Sequence, residues 1–210
     1  MRIEAFDAAR SAIAERGLTS AVQTKIALFV CAAKNANAFF LGRSQLLPLD
    51  PGARQFLEHQ CFRECEAALA LARTVQWDPE PALYARGAAL TLPLWGEAWR
   101  AVGLYGAPLD ARSFYSGAAL GQALLSEVRL VPVLPADADP LAPLVMLIHR
   151  IEQDNARALQ TQLALLKTAG GELPMEERER IVESLGEVAR RAFSGFLDWI
   201  IEGGGVHASA

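Results

Sequence analysis

The chain has 210 residues, of which 52% are hydrophobic, 21% charged and 8% aromatic, and it carries a formal charge of −4. That length supports one substantial core without requiring a second domain, and this apolar share excludes a chain disordered over most of its length. A pI near 5.5 with scattered arginines gives no reason to approach a phosphate backbone, so no nucleic acid is expected, while a mean hydropathy of +0.17 leaves apolar surface for a protein partner.

The opening "MRIEAFDAAR" mixes charges from its second residue and has no signal-peptide core. A first helix is expected over 3–16, ended by Gly17. "SAVQ", Ser20 to Gln23, has capping-box spacing and opens a helix over 20–41, with Gly42 as its stop. Val22, Ile26, Phe29, Ala33 and Phe40 share one face of that helix, and Asn37 falls at the same angle at ~100° per residue. Asp-Pro occurs three times, at Asp50-Pro51, Asp78-Pro79 and Asp139-Pro140. In each the carboxylate can cap free N–H groups while proline takes the first helical position, where no N–H is needed. These pairs open expected helices over 51–76, 79–91 and 140–169, and further helices are expected over 93–105, 110–127 and 174–202. "VRLVPVLP", Val128 to Pro135, alone reads as extended, and its two prolines make it a loop or lone edge segment over the bundle. Residues 203–210, "GGGVHASA", are expected to form a disordered tail. The longest uncharged run, Ser113 to Ser126, is too short and glycine-rich to span a bilayer, so no membrane span is expected.

"HQCFREC", residues 59 to 65, sets one of three histidines beside two of three cysteines. On a helix, Leu57, Cys61, Ala68, Ala72 and Val75 share a stripe with Cys65 at its edge, so the thiols should face inward and His59 outward. His59 lies ~160° from Cys61, too far round a regular helix to share an ion with it. Three cysteines fit reduced thiols in a cytosolic protein better than a disulfide framework.

Residues 70–90, "ALARTVQWDPEPALYARGAAL", resemble the joint between two tetratricopeptide repeats, which implies peptide binding through residues 51–127; no second copy at that family's period is visible. "YSGAALGQALL", residues 115–125, resembles the glycine-bearing distal helix of haem oxygenases, an all-helical fold of similar length. The chain departs from that family in having no histidine before His59 to serve as an axial ligand, and no cofactor is expected.

The clearest periodicity runs through Leu144, Ile148, Ile151, Asn155, Ala158, Gln162, Leu165 and Ala169, a heptad seam in which two positions are amides. A buried amide without partners costs about 1–3 kcal/mol, so Asn37, Asn155 and Gln162 require partners. Two readings stay open: the amides fix helix register, or they face a polar cavity that holds a small molecule. Trp95, Trp99 and Tyr115 lie among glycines in the middle of the chain, where large rings beside absent side chains make either tight helix crossings or a slot for an apolar or planar ligand. The candidate ligand-binding residues are therefore Asn37, Asn155, Gln162, Trp95, Trp99 and Tyr115.

His149 and Glu152 form a single His-x-x-Glu, whereas di-metal bundles draw Glu-x-x-His motifs and further carboxylates from several helices, so no metal is expected. No nucleophile elbow, phosphate loop, dinucleotide fingerprint or zinc spacing singles out a catalytic residue, which leaves enzymatic activity an open question. Ile181, Leu185, Val188, Ala192, Phe196 and Trp199 stripe the last helix, and the short link "GGELP" suggests that it folds back on its predecessor. These readings combine into an all-α fold: a single bundle of about seven or eight helices over 1–202 that ends in a long antiparallel hairpin over 140–202. The expected function is that of a cytosolic protein-binding module, an adaptor, chaperone or scaffold that pairs with itself as a homodimer. The alternative is a ligand-binding bundle or enzyme with a pocket lined by the interior amides and aromatics.

Overall fold

Eight consecutive apolar residues, Ile26 to Ala33, make one helix hydrophobic on every side, and such a helix must lie in the interior. In the computed structural model, which describes residues 10–15, 17–75, 81–101, 111–127, 129–134, 137–139, 142–168 and 175–202, that helix is α2 (Ser20–Gly42). It follows α1, helical over 10–15, and precedes α3 (Pro51–Thr74), α4 (Pro81–Ala101), α5 (Ala111–Glu127), α6 (Pro143–Thr168) and α7 (Met175–Ile201). The fold is all-α, with no strand among the described residues. α2 packs against α3, α4, α5 and α7, so the bundle is wrapped around it. Gly87 of α4 permits one of these crossings: a Cβ there would stand 3.3 Å from Leu28 Cβ and 3.4 Å from the Leu28 carbonyl carbon. Phe29 of α2 stacks on Phe196 of α7 with ring centroids 4.2 Å apart, and Phe40 stacks on Phe114 of α5 at 5.1 Å.

Local signals hold where the chain chemistry is strong. Gly17 ends α1 with φ +74°, its N–H donating to the Ile13 carbonyl at 2.7 Å. Asp50 caps α3 through Oδ1, which accepts from Gly52 and Ala53 N–H at 2.9 and 3.2 Å. The cap of α2 is Thr19 rather than Ser20: Thr19 has extended backbone and its Oγ1 accepts from Val22 N–H, while the Gln23 amide reaches back to the Leu18 carbonyl. The second Asp-Pro pair, at 78–79, lies outside the described residues, and α6 begins at Pro143, later than the third pair implies.

Two larger differences have physical causes. The expected break at Pro93 does not occur, and α4 runs through it. Pro93 and Ala89, four apart, are both exposed, so the carbonyl that loses its helical partner faces solvent rather than core. Of the two forms expected for 128–135, a loop or an extended edge segment, residues 131–133 take the loop form, a 3-10 turn, and the Glu152 carboxylate accepts from Leu130 and Val131 N–H at 2.6 and 2.8 Å. The expected terminal hairpin is not seen among the described residues: α6 packs chiefly on α5 and α3, and α7 on α4. The bulky end of α7, Phe193, Phe196 and Trp199, is drawn into the core cluster of α2.

Candidate functional site

Most of the buried polar side chains described lie on α2 and on the three helices α3, α5 and α6 around it. On α6 the buried side follows the heptad seam, from Leu144 through Ile148, Ile151, Asn155 and Ala158 to Gln162. On α3 the buried stripe is Ala53, Leu57, Gln60, Glu64, Ala68 and Leu71, about 40° round from the stripe that the thiols suggest. Cys61 is accordingly half-buried and Cys65 exposed, so Cys65 does not face inward; His59 is exposed, as expected.

This rotation carries Glu64 to the centre of the bundle. Lys34 of α2 lies opposite, with Nζ 2.7 Å from Glu64 Oε2 in a contact that is ionic rather than a well-angled hydrogen bond. Lys34 Nζ also donates to Asn155 Oδ1 at 2.5 Å, and Gln60 Nε2 donates to Glu64 Oε1 at 2.7 Å. Gln122 of α5 extends the network: its Nε2 donates to the Asn155 carbonyl at 3.2 Å, and its Oε1 accepts from Asn37 Nδ2 at 3.3 Å. The structure thus joins Asn37 to Asn155 through Gln122, with an ion pair at one end. A buried charge is costly unless paired and further hydrogen-bonded, and here each charge meets both conditions.

Gln162 is buried, but neither its Nε2 nor its Oε1 has a hydrogen-bond partner among the described residues. Asn37 Oδ1 and Ser116 Oγ are unpaired in the same sense. α5 and α6 run antiparallel, with Gln122 bonded to Asn155 and Phe114 and Tyr115 sharing a cluster with Leu165 and Leu166, so Ser116 falls near the level of Gln162. Tyr115 is buried beside Phe114, with centroids 6.2 Å apart, and belongs to this second cluster rather than to the Lys34–Glu64 network. Burial, and secondarily the charge of Asp50, raises its phenol pKa. The side chains of Trp95 and Trp99 lie outside the description.

The cavity beside Lys34 and Asn155 has a volume of about 20 Å³, bounded by Phe29, Ile148, Ile151 and Glu152. A single water needs about 10–15 Å³ and ligand sites span about 300–1,000 Å³, so this space is of water size. A cleft of about 430 Å³ lies elsewhere, lined by Gly17, Leu18, Gln23, Thr74, Asp139 and Leu144, and Asn37, Tyr115, Asn155 and Gln162 are not among its lining residues. Glu152, three residues from His149, is engaged with the 131–133 turn. Among the described residues no group of three or more His, Cys, Asp or Glu is placed to hold a metal ion, and no helix is long and apolar enough to cross a membrane.

Lys34, Gln60, Glu64 and Gln122 were not foreseen. A signal existed for two of them: Lys34 immediately follows the apolar run that makes α2 an interior helix, and Glu64 lies within about 40° of the stripe centre set by Leu57, Ala68 and Val75. No family model matches the chain, and no curated protein or solved structure matches it at a significant level.

Proposed function

We propose that this chain is a self-associating helical protein-binding module, an adaptor or scaffold of the cytosol whose contact face is the outer side of α3 with the adjoining edge of α2. One observation carries this reading: Phe39, Phe62 and Leu69 are 66%, 59% and 50% exposed on neighbouring surface. Phe62, Cys65 and Leu69 lie within ~60° round α3. The Cys65 edge adjoins α2, where Cys61 Sγ reaches the Ala38 carbonyl at 3.2 Å, one residue from Phe39. Single exposed apolar residues are ordinary, but a row that includes two phenylalanines marks surface suited to a protein partner. The three free cysteines accord with a reducing compartment. The water-sized interior cavity favours this reading over a ligand pocket among the amides.

Sedimentation velocity tests the reading. From about 1 to 200 μM, a range that brackets a micromolar Kd, the weight-average mass should rise from that of one chain towards two. Phe62→Ser combined with Leu69→Ser should hold the protein at one chain throughout, with unchanged helicity because both positions are exposed. A wild-type mass of one chain across the range sinks the proposal.

A further inference from the structure

On the far side of α3 from Phe39, the groove between α3 and α6 has a volume of about 250 Å³. Its wall carries Arg63, Arg73 and Arg150, and its apolar lining includes Ala70 and Leu147. Two acids, Glu66 and Asp154, also line it. Asp154 is shared among three guanidinium groups: Arg63 at 2.6 Å, Arg150 at 3.9 Å and Arg157 at 3.8 Å. Only the first is a close ion pair, and Arg73 has no acidic partner among the described residues. In a chain whose formal charge is −4, this groove gathers three arginines against two carboxylates and leaves two of the forks, Arg73 and Arg150, without close partners among the described residues.

We propose that the α3–α6 groove is a binding site for a phosphomonoester dianion, with Arg73 and Arg150 gripping the phosphate and Leu147 and Ala70 meeting the body of the ester. Guanidinium groups present planar pairs of N–H donors that match phosphate oxygens, and a dianion gains more from two of them than a monocarboxylate does. The volume lies just below the range of drug-sized sites, about 300–1,000 Å³, which fits a phosphate on a small apolar or aromatic body. The groove adjoins the apolar row proposed for self-association and shares Leu69 with it, but Phe39 and Phe62 are not among its lining residues and neither Arg73 nor Arg150 belongs to that row.

Titration of the intact chain with phenyl phosphate at low salt, followed by nuclear magnetic resonance, tests this. Saturable shifts should appear at α3 and α6 residues of the groove, and benzoate should bind about tenfold more weakly, the equivalent of one charge-assisted hydrogen bond. Arg73→Ala combined with Arg150→Ala should weaken phenyl phosphate at least about tenfold while leaving the circular dichroism unchanged, since both side chains are exposed. A short uncharged peptide bearing phosphoserine supplies the second arm: tighter binding than phenyl phosphate assigns the ester to a protein side chain, and weaker binding to a free small molecule. No saturable binding of either probe by about 10 mM, equal affinity for benzoate, or an affinity that the double variant leaves unchanged would overturn the proposal.

Discussion

Arg63 and Glu64 are neighbours on α3, and Asp154 and Asn155 are neighbours on α6, yet each pair divides between two environments. Glu64 and Asn155 point inward and meet Lys34; Arg63 and Asp154 meet at the surface. The ion-pair distances are nearly equal, 2.7 Å for Lys34–Glu64 and 2.6 Å for Arg63–Asp154, but the side chains are 3% and 1% exposed in the first pair and 35% and 22% in the second. Distance therefore says little about what each pair contributes. In the interior the alternative to pairing is an uncompensated charge, whereas at the surface it is water.

The largest expected effect breaks the inner pair from one side. Lys34→Met leaves the Glu64 carboxylate buried without its cation and should destabilise the fold by about 3–5 kcal/mol in chemical denaturation. Adding Glu64→Leu should recover most of that loss, because an apolar pair of similar volume needs no hydrogen bonds. If the double variant is no more stable than the single one, the inner pair does not have the character assigned to it. Asn155→Leu removes an acceptor from the buried ammonium and should cost about 1–3 kcal/mol, whereas Gln162→Leu, at an equally buried position without partners among the described residues, should be neutral or stabilising. Equal losses at the two amides would erase the distinction between them. The outer pair comes next: Asp154→Asn should change stability by no more than about 1 kcal/mol.

The smallest effect is a pH dependence with its sign set by burial. The Cys31 thiol is pushed up by desolvation, opposed in part by its hydrogen bond with Asn35, and Cys61 is raised by burial and by the neighbouring Cys65. A folded state that holds its thiol protons longer than the unfolded chain loses stability as pH rises above the free-thiol range near 8.5. A wild-type loss of stability from pH 8 to 10 that is reduced by Cys31→Ala, measured by denaturation at each pH, would meet the expectation; identical pH profiles would contradict it. Thiol-reagent labelling should follow the same order of exposure, with Cys65 reacting first and Cys31 only on unfolding.

Much of the fold was legible because its signals are local. The α6 seam from Leu144 to Gln162, the Asp50 cap, the Gly17 stop and the starts of α2 and α3 follow from periodicity and from which residues satisfy free N–H groups. The candidate site was legible in part: Asn37 and Asn155 were recognised as amides needing partners, but the partners were not. Gln122 lies in a glycine-rich stretch whose local signal is close backbone approach, and Glu64 lies between two cysteines on a stripe that the sequence centres on the thiols.

By itself the sequence determined that the protein is all-α, that α2 and α6 each carry amides on an apolar face, and that the interior therefore has to solve a polar problem. Each of these depends on side-chain spacing along one helix, a property carried by about a turn or two of chain. Only the tertiary structure decided how that problem is solved. Lys34, Glu64, Gln122 and Asn155 come from four helices and meet because α3, α5 and α6 take particular rotations around α2. The same rotations set Arg63 and Asp154 outside, decide that α7 packs chiefly on α4 rather than on α6, and leave Phe39, Phe62 and Leu69 exposed. Helix rotation is set by the packing of all the neighbours at once, so no single segment encodes it.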